Sequence, residues 1–317
     1  MASRQRRMTL PSTPGRAEPI HKPAQKTLSD PAHGAAFIFV HGLGDTAEGL
    51  EGELPLFRSF RYLRRSVRLQ TRPVQDKYCT QQHWQQQLKG VEVSAKQKYI
   101  QDKQLTYSLD VADQFQNNNK LPHMHWIIPN ALENRDAMTT AWYTPTQLSP
   151  FANDRPELDD PEDEEGMMNS VKYLESLIDA CGKKGIPPQR VVLGGFSQGC
   201  AMSLLTDLTS SKYAGRLAGI IGLMGYLPLC NRLPDMRAKA GLPVTHGDVP
   251  IMLVRGQKDT LIPKRVWNIT LKQLEFLGVG SDDLIVKEYE GLGHSLNGAV
   301  MKDMCAFLER VVPSLED

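Results

Sequence analysis

Val191-Val192-Leu193-Gly194-Gly195-Phe196-Ser197-Gln198-Gly199-Cys200 is an apolar run broken by a GxSxG pattern and continued by Ala201-Met202-Ser203-Leu204-Leu205. The β-branched residues before the break predict a buried strand, and the helix formers after it predict a helix. A serine at such a junction sits on a tight, strained turn. Side chains at the flanking glycines would block both the turn and the approach of a substrate. The pattern is a nucleophile elbow, and Ser197 is the candidate nucleophile.

A serine hydroxyl is a weak nucleophile, so it needs a histidine to take its proton and a carboxylate to fix that histidine's tautomer. With a nucleophile on a strand-to-helix elbow, the partners follow in the chain order acid, then histidine. Of the eight histidines only His246 and His294 come after Ser197. His294 lies in Gly291-Leu292-Gly293-His294-Ser295, a loop leaving the strand-like Leu284-Ile285-Val286-Lys287-Glu288-Tyr289, where such a fold puts catalytic groups. His246 lies in a turn that leads into a strand, which favours His294. For the acid, Ile251-Met252-Leu253-Val254-Arg255 reads as a buried parallel strand with Asp259 just beyond its carboxyl end. Asp282 and Asp283 open the following strand and read as solvated turn residues.

The oxyanion of a tetrahedral intermediate needs N–H donors aimed at it. The backbone of Gln198, next after the nucleophile, is one. The other is expected from an early strand-to-helix loop, and Phe37-Ile38-Phe39-Val40-His41-Gly42-Leu43-Gly44-Asp45 is such a segment. His41 precedes the serine, so it reads as a shaper of that loop and not as the base.

With these segments in hand, the chain resembles the acyl-protein thioesterase branch of the phospholipase/carboxylesterase family, in its fungal form. The matching pieces are His41-Gly42-Leu43-Gly44-Asp45, Trp126-Ile127-Ile128-Pro129-Asn130-Ala131, Ala141-Trp142-Tyr143, Gly185-Ile186-Pro187 with Arg190, Gly194 to Gly199, Tyr226-Leu227-Pro228-Leu229, Gly256-Gln257-Lys258-Asp259 and Tyr289 to Ser295. The resemblance implies an α/β hydrolase fold, class α/β, with a mostly parallel central sheet flanked by helices. It implies cleavage of long-chain fatty acyl thioesters from protein cysteines, and often of small oxygen esters or lysophospholipids. By the same resemblance Ser197, Asp259 and His294 match the triad, Leu43 and Gln198 match the oxyanion donors, and the segment around Trp142 and Leu148 matches the loop that lines the acyl channel. Tyr226 belongs to the pocket wall, where relatives often carry Cys-Trp and this chain has Gly225-Tyr226. The implied surroundings are the cytoplasm, with the nucleus as a second location, and only transient contact with membrane surfaces. The rivals to this reading are a general carboxylesterase or lysophospholipase with the same triad, and a disabled homologue that binds lipidated partners.

The 317 residues, 40% of them hydrophobic, suffice for one sizeable core, and alternating strand and helix signals predict one α/β domain over 33–317. A net charge of +1 gives no field that would attract nucleic acid. The five cysteines are odd in number and lack metal-ligand spacing, which suits free thiols in a reducing compartment. Hydrolysis by a serine triad needs no metal or organic cofactor. Residues 1–32 are basic and punctuated by prolines, and read as a disordered tail. Residues 53 to about 110, rich in arginine and glutamine and without apolar rhythm, read as a disordered insertion in the helix that follows the oxyanion loop. The acidic run 154–165 lies ahead of a helix-like stretch, where its charge favours the helix dipole, and its spacing is not that of a calcium loop.

Overall fold

In strand β2 (Ala35–Val40), Ala36, Ile38 and Val40 enter one hydrophobic cluster, while Ala35, Phe37 and Phe39 enter another. A strand covered on both faces must be apolar at every position, which is why it reads as an unbroken run and not an alternation. The computed structural model describes residues 8–47, 108–151 and 161–315. Around β2 they build a seven-stranded sheet in the order β1-β3-β2-β6-β7-β8-β9. Its strands are β1 (Ile20–Lys22), β3 (Met124–Ile128), β6 (Val191–Phe196), β7 (Gly219–Leu223), β8 (Ile251–Gly256) and β9 (Leu284–Tyr289) besides β2. Every pairing is parallel except that of the edge strand β1, which runs antiparallel to β3 with Ile20 opposite Ile128. A small hairpin, β4 (Leu132–Asn134) and β5 (Thr139–Ala141), lies outside the sheet.

Helices cover both faces, as a parallel sheet requires. On one face, α1 (Ser108–Asn117) and α6 (Gly298–Val311) bring Val111, Phe115, Val300, Met304 and Phe307 onto Phe37 and Trp126. On the other lie α2 (Glu164–Lys183), α3 (Gln198–Thr209), α4 (Leu233–Lys239) and α5 (Lys264–Phe276). Helix α3 is buried along its whole length, so the serine at its start is fixed by the centre of the core. Helix α2 begins where the acidic run ends: the Asp163 side chain caps it by accepting from the Gly166 N–H at 2.9 Å, and Glu164 and Glu165 occupy its first turn. Glu162 does more than sit in solvent, since it accepts from the Leu229 N–H at 2.8 Å.

The N-terminal segment departs from the expectation of a tail. Residues 8–32 lie against the sheet, with β1 paired to β3, Met8 buried in the core and its N–H donating to His21 Nδ1 at 3.2 Å. The reason is visible in the prolines. Pro14-Gly15 occupies the centre of a turn closed by Arg16 N–H to Thr13 O at 3.0 Å, with Gly15 at φ +77°. Proline and then glycine are the residues such a turn selects, so the prolines here set a bend instead of preventing structure. The insertion at 53 to about 110 lies outside the described residues up to 107. Among the described residues no helix is long and apolar enough to cross a membrane.

Candidate active site

Ser197 stands at the carboxyl end of β6 with φ 55° and ψ −115°, a conformation that few residues with a side chain adopt. The turn is held by its surroundings. A Cβ on Gly195 would meet Val40 O at 2.3 Å, and one on Gly199 would meet the same oxygen at 1.9 Å. The two glycines of the motif are therefore required by the close approach of β2 to the elbow. The Ser197 N–H is tied to Leu223 O at 2.8 Å, which anchors the turn to β7 as well.

His294 Nε2 lies 2.9 Å from Ser197 Oγ, and its Nδ1 lies 2.8 Å from Asp259 Oδ2. A carboxylate can only accept, so Nδ1 carries the proton and Nε2 presents a lone pair to the serine hydroxyl. The Phe196 ring, 4.9 Å between centroids, supports the imidazole from the side. Asp259 has its side chain wholly out of solvent, and its other oxygen accepts from the Leu261 and Ile262 N–H groups at 2.9 and 3.1 Å. Burial alone would raise this carboxyl, yet the imidazole and the two backbone donors hold it below the usual range, so the acid stays ionised. The loops that carry Asp259 and His294 are laced together: Gln257 N–H donates to Tyr289 O at 2.9 Å and Lys258 N–H to Leu292 O at 2.8 Å. Gly256 permits this approach, because a Cβ there would meet Gly293 O at 2.3 Å.

The loop after β2 lies against the elbow, so close that a Cβ on Gly42 would stand 3.4 Å from that of Ser197. His41 shapes it, as its place in the chain suggested. The Ala131 N–H donates to His41 Nε2 at 3.1 Å, so the ring's proton sits on Nδ1 and is given to Gly42 O at 2.8 Å. Complete burial lowers His41 to about 4, which keeps this neutral tautomer at neutral pH. Farther along, Gly44 N–H donates to Thr140 O at 2.8 Å, the Thr140 hydroxyl to Asp45 O at 2.8 Å, and Ala47 N–H to Asn130 Oδ1 at 2.6 Å. Leu43 sits in this loop, and Gln198 opens α3, whose N-terminal N–H groups and dipole favour negative charge. The Gln198 side chain bridges the Trp142 N–H and Tyr143 O, both at 3.1 Å.

Trp142 is turned into the core, 2% exposed, with its indole N–H donating to His41 O at 2.9 Å. Leu148 packs against Tyr226, Ile262 and Val266, and the Tyr226 hydroxyl points towards Glu162. His246 is far from this constellation in function: its Nε2 pairs with Asp207 Oδ2 at 2.5 Å, and both side chains are fully buried. The glycine contacts and Phe196 carry signals in the motif itself. Asn130 and Trp142 stand in segments that the sequence singles out, but their hold on the loop, and the bond of Glu162 to Leu229, become legible only through the elements that bring them there.

A hydrogen-bonded serine, histidine and buried aspartate at the carboxyl edge of a parallel sheet define an α/β hydrolase. The chain belongs to the phospholipase/carboxylesterase family, whose model matches residues 108–312. It is 33% identical over 199 residues to acyl-protein thioesterase 1 of Schizosaccharomyces pombe, covering 61% of this chain and 80% of that one. The acyl-protein thioesterase 1 of Gibberella zeae is 30% identical over 299 residues, covering 94% of this chain and 97% of the relative. Among solved structures, Zea mays acyl-protein thioesterase 2 superposes with a TM-score of 0.55 at 19% identity, over 93% of this chain and 99% of that one, a likeness of fold. The protein is thus a serine hydrolase of the class that cleaves esters or thioesters.

Proposed function

We propose that this protein removes long-chain fatty acyl groups from protein cysteines, by way of an acyl-enzyme on Ser197. The observation that carries the reading is the unbroken chain Ser197–His294–Asp259, at 2.9 and 2.8 Å, in a relative of fungal acyl-protein thioesterases. Ser197 Oγ attacks the thioester carbonyl while His294 Nε2 takes its proton. The amides of Leu43 and Gln198 hold the oxyanion. As the C–S bond breaks, His294 returns the proton to the departing sulfur, and a water activated by the same nitrogen then frees the fatty acid and Ser197. Asp259 keeps the imidazole in the tautomer that both steps need. In this reading Leu148 and Tyr226 border the acyl chain, and Trp142 supports the oxyanion loop from behind. The substrates are S-acylated proteins met at membrane surfaces from the cytoplasm.

The test starts with a fluorophosphonate probe on the full chain and on Ser197→Ala. Labelling of the first alone is expected, with hydrolysis of a palmitoyl thioester reduced by several orders of magnitude in the variant. Near-normal thioester hydrolysis by Ser197→Ala would sink the assignment. The family's description favours one second reading, a general carboxylesterase or lysophospholipase. Ratios of kcat/KM for matched thioesters and oxygen esters of varied chain length separate the two.

A further inference from the structure

The N-terminal segment reaches the catalytic machinery from behind. The turn at Pro14-Gly15 and a bridge between Arg16 and Leu132 deliver the Arg16 guanidinium to a place beneath the oxyanion loop. One of its nitrogens donates to Asn130 O at 2.6 Å, and its planar group lies over the rings of Tyr173 and Trp142, 3.9 and 5.2 Å from their centroids. Each contact leads to a different end of the loop. Asn130 has its side-chain amide held by Glu18 O at 2.9 Å, and its side-chain oxygen accepts from the Ala47 N–H. Trp142 donates to His41 O, and its own backbone N–H is held by Gln198. Residue 16 therefore stands one contact away from both anchors of 41–47, and two contacts away from the helix that bears Ser197.

We infer that Arg16 is a positioning residue for the oxyanion hole, and that the N-terminal segment 8–22 is a working part of the active site. This rests on the proposed roles of the Leu43 and Gln198 amides. A flexible side chain could not hold two anchors in fixed relation. The planar guanidinium can, because its hydrogen bond and its face-on ring contacts constrain it in different directions. Losing it leaves the Asn130 carbonyl without that donor and Trp142 without a neighbour on one face, so the loop relaxes while the serine, histidine and aspartate keep their own contacts.

The experiment compares the full chain with Arg16→Ala and Arg16→Lys, using p-nitrophenyl octanoate as substrate and thermal unfolding as a control. A misplacement of about an ångström at such a site costs roughly 100-fold. The expected result is kcat lowered by roughly 10- to 100-fold with KM changed less than twofold, in both variants, since lysine lacks the planar fork. A trifluoromethyl ketone with an octyl tail, which forms a tetrahedral adduct, should lose affinity in parallel with kcat, whereas inhibition by octanoate should not change. A lowered unfolding temperature with kcat and ketone affinity intact would overturn the inference and leave Arg16 a stabilising residue only. Arg16→Lys serves the same comparison if Arg16→Ala fails to fold. Ser197→Ala run alongside separates the two claims: turnover surviving in it overturns the proposed mechanism and this inference with it, while its loss together with a normal Arg16 series overturns the inference alone.

Discussion

Asp259 shows how one residue's environment sets a role. Its carboxylate is bonded on both oxygens and held below the usual range, so it presents a fixed negative charge to His294 Nδ1. Asp259→Asn keeps the shape but offers an N–H where an acceptor is needed, which favours the wrong imidazole tautomer. We expect kcat to fall roughly 10⁴-fold with little change in unfolding temperature, measured by steady-state hydrolysis and thermal melts. Gly225 shows a steric requirement of the same severity. A Cβ there would meet Cys200 Cβ at 2.4 Å and Ser197 O at 2.6 Å, inside the elbow itself. Gly225→Ala should therefore lower both stability and fluorophosphonate labelling, at a cost of about 1–3 kcal/mol for overpacking. Cys200→Gly in the same chain removes one of the two obstacles and should restore part of each. Additive losses in the double variant, measured by denaturant unfolding, would show that the two residues do not share the space.

Among the elements, the loop 41–47 depends on a histidine that must stay neutral. His41 accepts from Ala131 N–H, and a proton on that nitrogen would break the bond and place a buried charge near Arg16. Its folded value of about 4 lies below the usual 6.5, so the unfolded chain binds more protons between those limits. Stability from this group is present above about pH 6.5 and is lost as pH falls towards 4, by on the order of 3 kcal/mol in full. His41→Gln should flatten the pH dependence of the urea midpoint across that window, and an unchanged slope would contradict the account. The elements that frame this loop were legible to different degrees. Strands β2, β6 and β8 announce themselves as apolar runs because both sheet faces are covered; the 41–47 loop, Ser197 and Asp259 follow their carboxyl ends, and His294 follows the more exposed β9. The N-terminal segment was not legible as structure. Its residues find partners more than a hundred positions away, as Ile20 finds Ile128 and Arg16 finds Asn130, and no local rhythm records such pairings. Prolines in a basic stretch read as a disordered tail, whereas Pro14-Gly15 specifies the bend that delivers Arg16. Trp142 was legible as a motif residue but not as a support for His41, since only the packed hairpin aims its indole.

At the scale of the molecule, α3 is fastened at both ends by polar groups of opposite pH behaviour. Its first residues meet the neutral His41 loop. Near its other end, Asp207 pairs with His246, and Arg237 donates to Leu208 O at 2.7 Å and to Pro243 and Thr245 carbonyls. Burial alone would push His246 down, but the charge and hydrogen bond of Asp207 carry it above its ordinary value. A raised base contributes stability that is complete below about pH 6.5 and is lost as pH rises through its folded value, the reverse of His41. Stability plotted against pH should then be a dome, its acid limb drawn partly by His41 and its alkaline limb partly by His246. Asp207→Asn removes the charge that holds the proton on His246 while keeping the size of the side chain. It should flatten the alkaline limb, leave the acid limb in place, and lower stability most below about pH 6.5, where the charged pair contributes in full. Because this pair lies at the end of α3 away from Ser197, kcat/KM below the unfolding temperature should stay within a few-fold of the parent. Urea titrations from pH 5 to 9 give the first result and steady-state kinetics the second. An alkaline limb unchanged by Asp207→Asn would mean that His246 is neutral in the folded chain and that α3 is held there by packing and Arg237 alone.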